Sequence, residues 1–128
     1  LGLWEARRDR LKALEPPFAL CHGDYKPENL RVRGTEVVAL LDWEFTFSGP
    51  ALCDVGQLLR SAHVMPPAWD RGVEHGYRAA GGELPEDWRD VGRLLDLLNL
   101  MQFLHGVDRP TVFAGVRERI RHTLAALG

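Results

Sequence analysis

Apolar residues alternate with polar ones in one short region of the chain and recur at helical spacing through most of the rest. From Leu30 the order is Leu-Arg-Val-Arg, a Gly-Thr-Glu turn, then Val-Val-Ala-Leu-Leu. Two β-prone runs about Gly34, which supplies the φ > 0 conformation of a tight turn, predict a hairpin. Upstream, residues 3–14 read as a helix with Leu3 or Trp4, Arg8, Leu11 and Leu14 at near-helical spacing, stopped by Glu15-Pro16-Pro17. Phe18-Ala19-Leu20-Cys21 reads as a buried extended segment. Beyond the hairpin, residues 45–50 read as a loop and 51–62 as a helix with Leu52, Val55, Leu58 and Leu59 on one face.

Residues 66–80 suit another helix, with Trp69, Val73 and Tyr77 in register and Gly81-Gly82 closing it. A longer one runs from Pro85 or Glu86 to about Leu104, its Val91, Leu94, Leu95, Leu98, Met101 and Phe103 expected in the core. The last begins near Pro110 with Asp108 as candidate N-cap and Val112, Val116, Ile120, Leu124 and Leu127 inward. The fold class expected is α+β, mostly helical, with one small β-hairpin. No repeat, low-complexity tract or linker divides residues 1–128, so a single domain is expected.

Composition changes this picture little. A chain of 128 residues can bury roughly two thirds of its extended surface. Apolar content of 45% and charged content of 27% are ordinary for a globular domain. A net charge of −2 invites neither nucleic acid nor an acidic membrane surface. The Arg7-Arg8-Asp9-Arg10 cluster is diluted by Glu5, Asp9 and Glu15 and reads as a solvated helix face. No apolar run approaches the ~18 residues of a membrane span. The chain opens on Leu-Gly-Leu without a signal peptide, so a piece of a longer, cytoplasmic protein is expected. Two cysteines make no disulfide framework and suit a reducing compartment. Cys21 and Cys53 each precede a motif residue and are expected to pack it from behind as thiols. His63, His75, His105 and His122 fall on separate helices, without zinc-site spacing.

The candidate chemistry gathers at the ends of the hairpin. His22-Gly23-Asp24-Tyr25-Lys26-Pro27-Glu28-Asn29 leads into it and Leu41-Asp42-Trp43 leaves it. Because a hairpin folds its ends together, Asn29 and Asp42 should emerge side by side, with Asp24 on the same loop. Two carboxylates and an amide oxygen converging there repel unless a cation or proton lies between them. All-oxygen donors favour a hard ion such as Mg²⁺.

These residues carry a resemblance. His22 to Asn29 resembles the catalytic loop of the kinase fold, in which an Asp is followed five residues later by an Asn. Lys-Pro-Glu-Asn is similar to the protein-kinase form, and His-Gly-Asp to the aminoglycoside phosphotransferase and choline kinase family. Leu41-Asp42-Trp43-Glu44 resembles that family's metal-binding Asp, and Ser48-Gly49-Pro50 with Asp54-Val55-Gly56 its next signature. The resemblance covers residues 22–59 in four ordered elements.

The resemblance implies a C-terminal kinase-like lobe that transfers the ATP γ-phosphate to a hydroxyl of a small molecule. It implies Asp24 as proton acceptor, Asn29 and Asp42 as Mg²⁺ ligands and contacts to the nucleotide, and Asp54 as a support that hydrogen-bonds the loop backbone. His22 would pack the loop. Lys26 matches the lysine aimed at the transferring phosphate, with an exposed loop lysine as the equal alternative. Gly23 stands where protein kinases carry the arginine tethered to a phosphorylated activation loop, so regulation of that kind is not expected.

The acceptor pocket would be built by the helices after the hairpin. There, Asp70, Glu74, Glu83, Glu86, Asp87, Asp90 and Asp96 outnumber Arg71, Arg78, Arg89 and Arg93. That excess mildly favours a cationic or polyhydroxylated substrate, although a solvated helix face accounts for it more simply. With 21 residues before His22 and only Lys12 and Lys26 as lysines, the N-terminal nucleotide-binding lobe is expected to be supplied in cis or in trans. The other readings are an incomplete lobe acting as a small-molecule or partner binding module, and a metal-dependent phosphoesterase.

Overall fold

The computed structural model describes residues 2–12, 14, 18–102 and 110–128. Among the described residues five α-helices carry about half of the chain: α1 (Gly2–Lys12), α2 (Leu52–Arg60), α3 (Trp69–Ala79), α4 (Trp88–Gln102) and α5 (Pro110–Leu127). Between α1 and α2 lie β1 (Ala19–Cys21), the hairpin strands β2 (Leu30–Arg33) and β3 (Glu36–Leu40), and β4 (Phe47–Gly49). The fold is α+β and mostly helical. Gly34, at φ 61°, makes the hairpin turn. β2 and β3 pair antiparallel with Leu30 opposite Leu40 and Arg33 opposite Glu36.

The segment expected to be an open loop after the hairpin contains a strand. β4 pairs antiparallel with β1, Ala19 opposite Gly49 and Cys21 opposite Phe47. The run Phe-Ser-Gly is too short to show strand periodicity on its own, and its partner lies 28 residues upstream. The buried segment expected at 18–21 is buried only at Cys21, while Phe18 and Leu20 are exposed. Along the hairpin Val32, Val37 and Val38 are exposed as well; Val37 and Val38 are consecutive and point to opposite faces, so neither face of this hairpin is fully covered.

The core lies among the helices. Leu52, Val55 and Leu59 of α2 pack with Leu84, Trp88 and Val91, and Leu11, Val73 and Tyr77 close over them. What allows α2 and α4 to cross tightly is a pair of glycines. A Cβ on Gly56 would overlap the carbonyl oxygen of Gly92, so the two backbones touch with no side chain between them. One turn further along α2, Arg60 makes a bidentate ion pair with Asp96 of α4. Both side chains are buried, and burial pushes the Asp96 carboxyl up against the opposing pull of Arg60. Arg10 of α1 grips Asp87 at the start of α4 with bonds of 2.6 and 3.0 Å. Trp69 donates its indole N–H to the Leu58 carbonyl, 2.9 Å, satisfying one of the open carbonyls near the end of α2.

Leu98, Met101 and Leu124 do not join this core, as their helical spacing suggested; they are exposed. Periodicity marks an apolar stripe but not what covers it, and the stripe on α4 is wider than the surface that α2 and α5 provide. The expected stop at residues 15–17, the Asp108 cap and the end of α4 past Gln102 lie outside the described residues, as do the side chains of Leu3, Trp4, Phe103 and Val112.

Candidate active site

The loop that follows β1 is fixed residue by residue. Gly23 adopts φ 83°, and a Cβ there would overlap the carbonyl oxygen of Phe45. No side chain fits, so an arginine at this position is excluded by both backbone conformation and space. His22 is buried and tied at both ring nitrogens. Its Nδ1 accepts the Asp24 N–H at 3.2 Å. A backbone N–H can only donate, so Nδ1 is unprotonated and Nε2–H donates to the Leu41 carbonyl at 2.7 Å. The ring thus joins the loop to the outgoing end of the hairpin, with Trp43 edge-on at 4.8 Å. It is a strut with no free nitrogen for proton transfer.

Helix α2 holds the loop from the other side. Asp54, in its first turn, accepts the N–H groups of His22 at 2.7 Å and Gly23 at 3.0 Å. Gln57 stands one turn on. It accepts the Tyr25 N–H and donates to the Gly23 carbonyl at 2.8 Å. Sequence reasoning missed Gln57. The available signal was its spacing of three from Asp54, which puts both side chains on one helix face, and a glutamine amid the apolar positions of a short helix.

Around Asp24 the charges are arranged at close range. Lys26 Nζ lies 2.6 Å from Oδ2, and Asn29 Nδ2 donates to Oδ2 at 3.1 Å and to the Asp24 carbonyl at 2.9 Å. Asn29 ends the short 3₁₀ turn Pro27–Asn29 and is buried. Its carbonyl accepts the Leu41 N–H at 2.9 Å, which closes the hairpin ends on each other. Asp42 follows directly, in the left-handed region at φ 62°, ψ 60°. It is the only non-glycine residue with positive φ among the described residues. Such a conformation in an Asp costs on the order of 1–3 kcal/mol and clusters at functional sites. Its carboxylate is exposed and has no hydrogen-bond or ion-pair partner among the described residues.

The donor chemistry fits a hard divalent cation. Both Asn29 amide hydrogens go to Asp24, which leaves the amide oxygen without a donor among the described residues, and the Asp42 carboxylate is free. Among the described residues no group of three or more His, Cys, Asp or Glu side chains could hold a metal alone. Two protein oxygens with water or phosphate completing the shell is the habit of Mg²⁺.

Beside Gly23 opens a cavity of about 530 Å³. Phe45 and Phe47 line it together with Leu95, Leu98, Asn99 and Gln102 of α4. Cys53 lies at its base, its thiol pushed up to about 12 by burial, with Cys21, Asp54 and Asp96 adding to the shift. A second cavity, of about 370 Å³, lies on the α5 side of α2. There the rings of His63 and His122 stack at 4.4 Å, a contact that their separation in sequence hid. Its arginines already have acid partners, Arg60 with Asp96 and Arg93 with Asp70.

Among models of protein families, one described as the phosphotransferase enzyme family matches residues 1–94. That span takes in the loop, the hairpin, α2 and the first half of α4. No curated protein and no solved structure gives a match.

Proposed function

The chain belongs to the phosphotransferase enzyme family, and on that premise we propose that it transfers the γ-phosphate of ATP to a hydroxyl of a small molecule. Asp24 is the proton acceptor. Its carboxylate is held by Lys26 and Asn29, and it takes a hydrogen bond from the acceptor hydroxyl and the proton as transfer completes. Asn29 and Asp42 would hold Mg²⁺ through side-chain oxygens that no other described residue engages. When bound, that ion neutralises the charge of the phosphates. Lys26 rests on Asp24, and in this reading it exchanges that carboxylate for an oxygen of the transferring phosphate. His22, Asp54 and Gln57 position the loop and touch no reacting atom.

The observation that carries this reading is the Asn29 carbonyl to Leu41 N–H bond. It seats Asn29 beside the residue that precedes Asp42, while the Asn29 amide holds Asp24. The remaining nucleotide contacts come from a second lobe, in cis or in trans, and the exposed apolar residues Leu20, Val32, Val37 and Val38 on the strands support a covering partner there.

Manganese tests the metal site directly. As a paramagnetic stand-in for Mg²⁺ it should broaden the backbone amide signals of Asn29 and Asp42, and Asp42→Asn should abolish the effect. Broadening centred elsewhere, or unchanged in that variant, overturns the reading.

A further inference from the structure

We propose that the acceptor is an uncharged alcohol with an apolar body, seated in the cavity between Phe45, Phe47 and α4. This deepens the phosphotransferase reading above and rests on it. Gly23, the residue before Asp24, is among those that line the cavity, so the loop that carries the reacting carboxylate borders it. Phe45 and Phe47 leave about half of their surface uncovered, and Leu98, which lines the same cavity, is 41% exposed. These are apolar surfaces that the protein does not bury by itself.

Among the described residues no acidic or basic side chain lines the cavity. Gln57 is already engaged with Gly23 and Tyr25. Asn99 and Gln102 are the lining amides without a hydrogen bond among the described residues, and they suit a second neutral polar group at the far end. A cation entering here would give up its hydration with no carboxylate among the described lining residues, and the Asp24 carboxylate beyond them is already paired with Lys26. Of the acids that could have favoured a cationic acceptor, Asp70, Glu74, Asp87, Asp90 and Asp96 are taken by arginines. Glu83 and Glu86 are exposed and lie outside the cavity lining.

The test is a nuclear magnetic resonance titration of the chain with 4-phenylbutan-1-ol, and in parallel with choline and kanamycin. The neutral alcohol should shift the signals of Phe45, Phe47, Leu98 and Asn99, whereas the two cationic probes leave them in place. Leu98→Glu, at a half-exposed position, should weaken the alcohol at least tenfold, and Asn99→Ala gives a second, smaller lesion in the same cavity. Choline or kanamycin shifting these signals more strongly than the neutral alcohol overturns the proposal, as does an alcohol that shifts none of them. Manganese broadening at Asn29 and Asp42 separates the two levels. If it persists while the alcohol fails, only the acceptor class falls. If the alcohol binds and the broadening is absent, the cavity is a ligand site without phosphate transfer and both readings fall.

Discussion

Asp54 and Gln57 stand one turn apart on α2 and between them satisfy the N–H groups of His22, Gly23 and Tyr25 and the carbonyl of Gly23. The loop that carries Asp24 is therefore held by side chains where a strand neighbour would ordinarily supply backbone partners. Gln57→Leu keeps the volume and removes both bonds. Each deserted backbone group costs about 1–3 kcal/mol if water cannot reach it, so a loss of about 2–4 kcal/mol in urea unfolding is expected. An unchanged midpoint would show that water replaces the amide at no cost.

Asp24 and Asp54 separate chemistry from support. In the active protein, Asp24→Asn preserves size but cannot accept a proton, and kcat should fall by about 10²–10⁴ with folding intact. Asp54→Asn turns an amide N–H₂ toward N–H donors and should cost about 1.5–3 kcal/mol, lowering stability and activity together. Thermal melts beside steady-state kinetics decide between them. An early-melting Asp24→Asn with a stable, inactive Asp54→Asn would exchange the two roles.

Glycine-to-alanine changes should have opposite signs in two helices. Gly56→Ala gains about 1 kcal/mol of helix propensity but drives a methyl into the Gly92 carbonyl. Over-packing of this kind costs about 1–3 kcal/mol, and more where the obstacle is backbone. Net destabilisation is expected. Gly72→Ala in α3 meets nothing within 4 Å and should stabilise by about 0.5–1 kcal/mol. Chemical denaturation of the pair measures both, and a stabilised Gly56→Ala would mean that α2 and α4 can part cheaply.

The Cys53 thiol, pushed up to about 12, should be nearly inert in the folded chain. At pH 8 its thiolate fraction is about 10⁻⁴, since only the thiolate reacts. Cys21, buried and also shifted upward by burial, adds no fast site. Iodoacetamide should label the native protein slowly and the urea-unfolded protein quickly at both cysteines. Rapid native labelling at Cys53 would place its thiol in water.

The loop and hairpin were legible because they are local. Gly34 announces its turn, and Asn29 and Asp42 flank strands whose pairing follows from sequence proximity. The family likeness was carried by the same residues. What escaped depends on distant partners. β4 is a strand only because β1 lies beside it. Gly56 and Gly92 are unremarkable until two helices meet at both. Leu98 and Met101 have the spacing of core residues, yet neighbouring helices cover only part of the stripe to which they belong. Gln57 was passed over since a buried amide has no periodicity to mark it.

The contact between the Gly56 and Gly92 backbones bears on how far the loop could be transplanted. Residues 22–29 grafted onto another scaffold would bring the reactive side chains and lose their bearing, because His22, Gly23 and Tyr25 would have no Asp54 or Gln57 to meet. Bringing α2 would not suffice, for its far side is shaped to a helix without a side chain at the crossing. The smallest portable unit is the loop, the hairpin end, α2 and α4 together.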